Sequence, residues 1–201
     1  MAKSSSDFEP WPDYTQSAAA ALRDLAVTGR DGAALTPSEG FGQWLALTRE
    51  RHTCARCVYL IGNGASAMLA SHFAADACKN AGLSAATFND PALLTATAND
   101  VAFEEVFALP LSRIGRAGDL LIAISSSGNS PNILRAIETA RSIAVTVVTL
   151  TARGADNRAR QLGDLNFYVP APRYGWAECA HQLLLHYWLD QYLNLYRGGA
   201  L

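Results

Sequence analysis

Three short apolar runs constrain this chain most: CVYLIG at Cys57–Gly62, DLLIAI at Asp119–Ile124 and VTVVTL at Val145–Leu150. None alternates strictly between polar and apolar residues, so each reads as a strand buried on both faces. Helical patterns separate them. Ser66–Ala81 offers Met68, Leu69, Phe73 and Ala77 for burial, and Ser130–Ser142 carries Ile133, Leu134, Ile137 and Ala140 on one stripe. Leu83–Phe88 and Leu165–Val169 add two strands, for five in all. Pro91–Asn99, Phe103–Ile114, Asp156–Leu162 and the long, aromatic Gly175–Tyr196 add helices. Strands of this kind joined through helices make an α/β fold, a parallel sheet with helices on both sides.

The segment before the first strand reads differently. Residues 1–11 are expected to be a flexible arm, Tyr14–Val27 a helix, Thr28–Ala34 a loop and Pro37–His52 a second helix. Together 12–53 form a helical N-terminal part, and 54–201 the α/β unit of one overall domain. The N-terminal helices must pack somewhere, and a subunit interface is the expected place.

Half of the 201 residues are hydrophobic and 17% are charged, which suits a packed core rather than disorder. A formal net charge of −2 excludes nucleic-acid binding driven by bulk charge. No apolar run approaches the ~18 residues that span a bilayer. MAKSSSDFEPWPDY lacks a signal-peptide core, so a cytoplasmic protein is expected. Cys54, Cys57, Cys78 and Cys179 read as reduced thiols, because the single CxxC has no second pair at zinc-finger spacing.

Chemistry concentrates where two strands end. The run DLLIAI passes into SSSGNSP and then into a helix. The first amides of a helix lack partners inside it and carry partial positive charge, so an anion is stabilised there by those amides and by nearby hydroxyls. A helix cap would account for Ser130 but not for Ser125, Ser126 and Ser127. No Gly-Lys-Ser/Thr follows, so this is not a Walker loop. YLIGNGASA also runs from strand to helix. Gly62, Gly64 and Ala67 satisfy G-x-G-x-x-A, and Asp90 lies where a ribose-binding acid would be sought, so a dinucleotide is a rival ligand. The serine loop favours a small phosphorylated molecule instead, with Asn63 and Ser66 as further ligands.

At these residues the chain resembles the sugar isomerase (SIS) domains and, more narrowly, the phosphoheptose isomerases. Their GNGGS, HFAEEL, ND and ISTSGNS segments match GNGAS at Gly62–Ser66, HFAADA at His72–Ala77, Asn99-Asp100 and ISSSGNS at Ile124–Ser130. Their QExHxxxxH segment is similar to Glu178–His186. The resemblance implies a flavodoxin-like three-layer sandwich and a homotetramer with active sites at subunit interfaces. It implies isomerisation of sedoheptulose 7-phosphate to a heptose 7-phosphate. Ser125, Ser126, Ser127 and Ser130 would hold phosphate, with Asn63, Gly64, Ser66, Asn99, Asp100 and Glu178 also near substrate. A divalent metal, zinc by preference, would lie at His72, Asp76, Glu178 and His186, and the catalytic residues would be Asp76, His186 and Glu178.

The chain departs from that pattern at four points. The family's glutamate base is Asp76 here, shorter by one methylene, and its glutamine is Glu178. An arginine is replaced by Asn80, with Lys79 adjacent, and an aspartate by Gly175. Glu178 and His186 are eight residues apart, about 12 Å along a helix, which strains a shared metal. The chief alternative is a non-catalytic relative, either a sugar-phosphate-binding regulator or an adaptor of the replication-initiator-associating kind. His181 reads as structural or as a support to the site, and His52 as surface. The group Tyr187, Trp188, Tyr192 and Tyr196 reads as core or interface.

Overall fold

The computed structural model describes residues 8–198. Five parallel strands form the body of the sheet as expected: β3 (Cys57–Gly62), β4 (Ser84–Thr87), β5 (Leu120–Ser125), β6 (Thr146–Ala152) and β7 (Leu165–Val169). The sheet nevertheless has seven strands, not five, in the order β2-β1-β7-β6-β5-β3-β4. The extra pair is β1 (Ala26–Gly29) and β2 (Ala34–Leu35), an antiparallel hairpin that joins the sheet beside β7.

That hairpin corrects two expectations. The first helix, α1 (Trp11–Arg23), stops before Val27, and the supposed loop at Thr28–Ala34 is mostly strand and turn. Val27 and Thr28 are β-branched, and Arg30-Asp31-Gly32 supplies the turn, with Gly32 at φ 79°. The alanine run upstream masked that change of period. The expected arm is also shorter, because Trp11 already begins α1; residues 1–7 lie outside the described part.

The second helix, α2 (Pro37–Thr53), starts at a capping box. The Glu39 amide donates to Thr36 Oγ1, and the Thr36 amide donates to the Glu39 carboxylate. The remaining helices are α3 (Ala65–Lys79), α4 (Pro91–Asp100), α5 (Ala108–Ile114), α6 (Pro131–Ser142), α7 (Arg158–Leu162) and α8 (Tyr174–Tyr196). The expected Phe103–Ile114 helix divides into a short 3₁₀ turn, Phe103–Glu105, and α5. Two apolar cores lie on opposite faces of the sheet. One joins α2, α3 and α8 through Trp44, Phe73 and Trp188, and the other joins α5 and α6 through Leu111, Ile133 and Ile137. Trp44 and Trp188 stack at 5.0 Å, and the Trp188 indole donates to Thr48 Oγ1 at 2.9 Å. Trp188 and Tyr192 are thus core, whereas Tyr187 is exposed.

β3 and β5 are neighbours, but the chain leaves them toward opposite faces, into α3 and α6. That arrangement opens a crevice beyond their carboxyl ends, where open α/β sheets bind ligands.

Candidate active site

The crevice holds a cavity of about 180 Å³ lined by Asn63, Ser66, Ile124, Ser125, Ser126, Ser127, Ser130, Tyr174 and Glu178. Both expected loops therefore meet at one place. Ser125 and Ser127 accept hydrogen bonds from the Gly128 and Asn129 amides, which sets the turn. Ser130 is the N-cap residue of α6 by backbone conformation, yet its side chain makes no cap hydrogen bond. The hydroxyl thus has no local duty and stands at the cavity wall beside a helix N-terminus, as anion binding requires.

Two glycines make this geometry attainable. A Cβ at Gly62 would stand 2.6 Å from the Ser66 backbone, and one at Gly128 would stand 2.0 Å from Asn157 Oδ1. Gly128 also has φ 63°, which side chains rarely adopt. The loops are tied together by a reciprocal amide pair: Asn63 Nδ2 donates to Asn132 Oδ1 at 2.9 Å, and Asn132 Nδ2 donates to Asn63 Oδ1 at 2.8 Å. Asn132 and Tyr174 were not singled out from the sequence. The available signal for Asn132 was an amide beside the apolar stripe of α6, where a buried polar group needs a partner.

The other expected residues form a second group. His72 Nε2 lies 3.4 Å from Asp76 Oδ2, and the His186 ring lies 6.0 Å from that of His72. Asn80 Nδ2 is 3.5 Å from Asp76 Oδ1. Both α3 and α8 begin at the cavity. His72 is six residues beyond Ser66, about 9 Å along the axis, and His186 is about 12 Å beyond Glu178. The imidazoles therefore reach matching depth. Gly64 is the N-cap of α3 with φ 56°. Asn99 and Asp100 end α4, exposed and hydrogen-bonded to each other, and do not line the cavity. Asp90 caps α4 through the Leu93 amide, an ordinary structural role.

The proposed metal set does not assemble as one site. Glu178 faces the serines, while His72, Asp76 and His186 lie deeper along α3 and α8. Among the described residues no group of three or more His, Cys, Asp or Glu is arranged to hold a metal ion. Imidazole and carboxylate are the right donors for zinc, but their placement within one chain does not fit a shared ion.

Between the two groups lies His181, fully buried on α8. Neither ring nitrogen makes a hydrogen bond. Burial pulls its pKa down to about 4, and the adjacent Thr151 backbone offsets that only in part. It is a neutral imidazole packed against the sheet. The four cysteines are free thiols, and no described helix is long and apolar enough to cross a membrane.

Known proteins are similar to this chain in sequence and in fold. A family model described as the SIS domain matches residues 50–152. The phosphoheptose isomerase of Thiobacillus denitrificans is 38% identical over 145 residues, 68% of this chain and 74% of its own length. That of Helicobacter pylori (strain Shi470) is 37% identical over 139 residues, covering 66% and 72%. The solved phosphoheptose isomerase of Neisseria gonorrhoeae superposes with a TM-score of 0.79 at 30% identity, covering 90% of this chain and 96% of that one. On the family model and on this identity and coverage, the chain belongs to the SIS-domain family and, within it, to the phosphoheptose isomerases.

Proposed function

We propose that this chain is a sugar-phosphate aldose–ketose isomerase that interconverts sedoheptulose 7-phosphate and a heptose 7-phosphate. The observation that carries the reading is the separation of the two polar groups. An extended heptose phosphate spans ~10 Å from phosphorus to C1, given ordinary bond lengths. With phosphate among Ser125, Ser126, Ser127 and Ser130, C1 and C2 fall at the depth of His72, Asp76 and His186, about 9–15 Å along α3 and α8.

The reaction moves a proton between C1 and C2 through an enediol, which needs a base for the carbon proton and an acid at the carbonyl oxygen. Asp76 is the proposed base. It is held by His72 and Asn80, which fix its orientation. His186, half-buried against Phe73, is the proposed acid. Glu178, between phosphate and reaction centre, orients the sugar hydroxyls and is the reserve base. A divalent metal enters no step, since its four proposed ligands are not gathered in this chain.

A homotetramer with shared active sites is part of the proposal. Leu183 and Tyr187 are exposed beside an apolar groove that also includes Leu22 and Phe41, which suits a subunit contact. Asn99 and Asp100, exposed and away from this cavity, would then serve a neighbouring subunit. The test is an NMR assay for conversion of sedoheptulose 7-phosphate, run with and without added zinc. Turnover is expected. No turnover, with the sugar phosphate still binding by calorimetry, would replace the isomerase with a non-catalytic sugar-phosphate regulator.

A further inference from the structure

The cavity lining presents five serine hydroxyls, one carboxylate and no cation. A phosphate monoester near neutral pH is close to a dianion, so the lining leaves its charge unmatched and Glu178 adds repulsion. Tyr174, on the cavity wall at the start of α8, has the Arg153 guanidinium 4.6 Å from its ring centroid. Arg153 follows the end of β6, is exposed, and has φ 60°. A non-glycine residue in that region is uncommon enough to prompt a search for function. The Tyr168 hydroxyl donates to the Arg153 carbonyl at 2.8 Å and holds the turn in place.

The other arginine beside Tyr174 is already engaged. Arg173 is paired with Glu9 and stacked on Trp176 at 4.7 Å, and Trp176 meets Tyr14 edge-on at 5.4 Å. A Cβ on Gly175 would approach Tyr14 Oη to 3.1 Å, so α1 packs closely on the backbone next to Tyr174. That contact fixes where the Tyr174 ring starts from. Arg153, in contrast, makes no ion pair among the described residues. Its charge is uncompensated, one aromatic ring away from the serines.

We infer that Arg153 and Tyr174 form a cationic rim on the serine pocket, Arg153 supplying the positive charge that the phosphate needs and Tyr174 positioning it. This rests on the serine pocket being the phosphate site. The contact is the same in ground and transition states, so its loss raises KM and spares kcat.

The test measures KM for sedoheptulose 7-phosphate and the competitive inhibition constant of inorganic phosphate. Arg153→Gln should raise both by about tenfold, with kcat within about twofold. High salt should shrink the difference, because the rim is exposed. Arg153→Lys should recover most of the loss, and Tyr174→Leu should approach Arg153→Gln. An unchanged phosphate constant in Arg153→Gln, or no recovery in Arg153→Lys, overturns the inference and leaves the pocket assignment standing. Failure of inorganic phosphate to compete in the unaltered enzyme would instead bring down the pocket assignment and the rim with it.

Discussion

The serine pocket and the His72–Asp76–His186 group share α3 and α8, the pocket adding the turn into α6, but they are built by different means. The pocket is assembled from backbone turns: Gly62 and Gly128 permit the close approaches, and the Asn63–Asn132 pair locks one loop to the other. The deeper group consists of side chains projecting from finished helices, spaced by helical geometry alone. A turn of this kind is intolerant of change, because its contacts are at their steric limit. A helix face tolerates the shorter acid at Asp76, or a carboxylate at Glu178 where the resembled pattern has an amide. The departures at Asp76, Asn80, Glu178 and Gly175 accordingly fall on α3 and α8 or at their ends, while the turns keep Gly62, Gly64 and Gly128.

The largest effect expected to test that division is on turnover. Asp76→Asn should lower kcat by a hundredfold or more, the usual contribution of a positioned base, while phosphate affinity holds. If kcat survives and Glu178→Gln abolishes it, the base belongs to the pocket and the two regions are not divided as proposed. A second effect concerns His181, buried on α8 between Glu178 and His186 along the helix. Above about pH 6.5 the His181 imidazole is neutral in both folded and unfolded chains. Below that, the unfolded chain takes up a proton that the folded one refuses until about pH 4, so stability falls as pH drops through this window. The loss attributable to His181 should be on the order of 3 kcal/mol. Urea midpoints at pH 7 and pH 4.5 measure it, and a His181→Met chain should show a shallower fall. The smallest effect is at the pocket. Ser127→Ala should weaken inorganic phosphate about tenfold, the scale of one hydrogen bond to a charged ligand, with the circular dichroism spectrum unchanged. A loss of fold instead would mean that the hydroxyl serves the turn, through the Asn129 amide, more than it serves the ligand.

The five parallel strands and both loops were legible because continuous apolar runs ending in glycine and serine have few other readings. The β1–β2 hairpin was not, since four residues flanked by an alanine run carry too little periodicity and their pairing partner, β7, lies far along the chain. The pocket could be read as a motif, but its outer wall could not. Tyr174 and Arg153 belong to different elements, and only the fold brings the ring and the guanidinium together. The Asn63–Asn132 pair was hidden for the same reason, 69 residues separating its partners.

The hairpin has a consequence for how the protein is made. β7 is buried along its whole length and would be an open sheet edge without β1 beside it, and β2, two residues long, then leaves little edge to offer a stranger. The first strand to leave the ribosome can pair with β2 at once, but its other edge must wait for the last strand, β7. Trimming the N-terminus through Leu35 would not remove an appendage. It would bare the sticky side of β7, and the shortened chain should emerge as an aggregate rather than as a smaller enzyme.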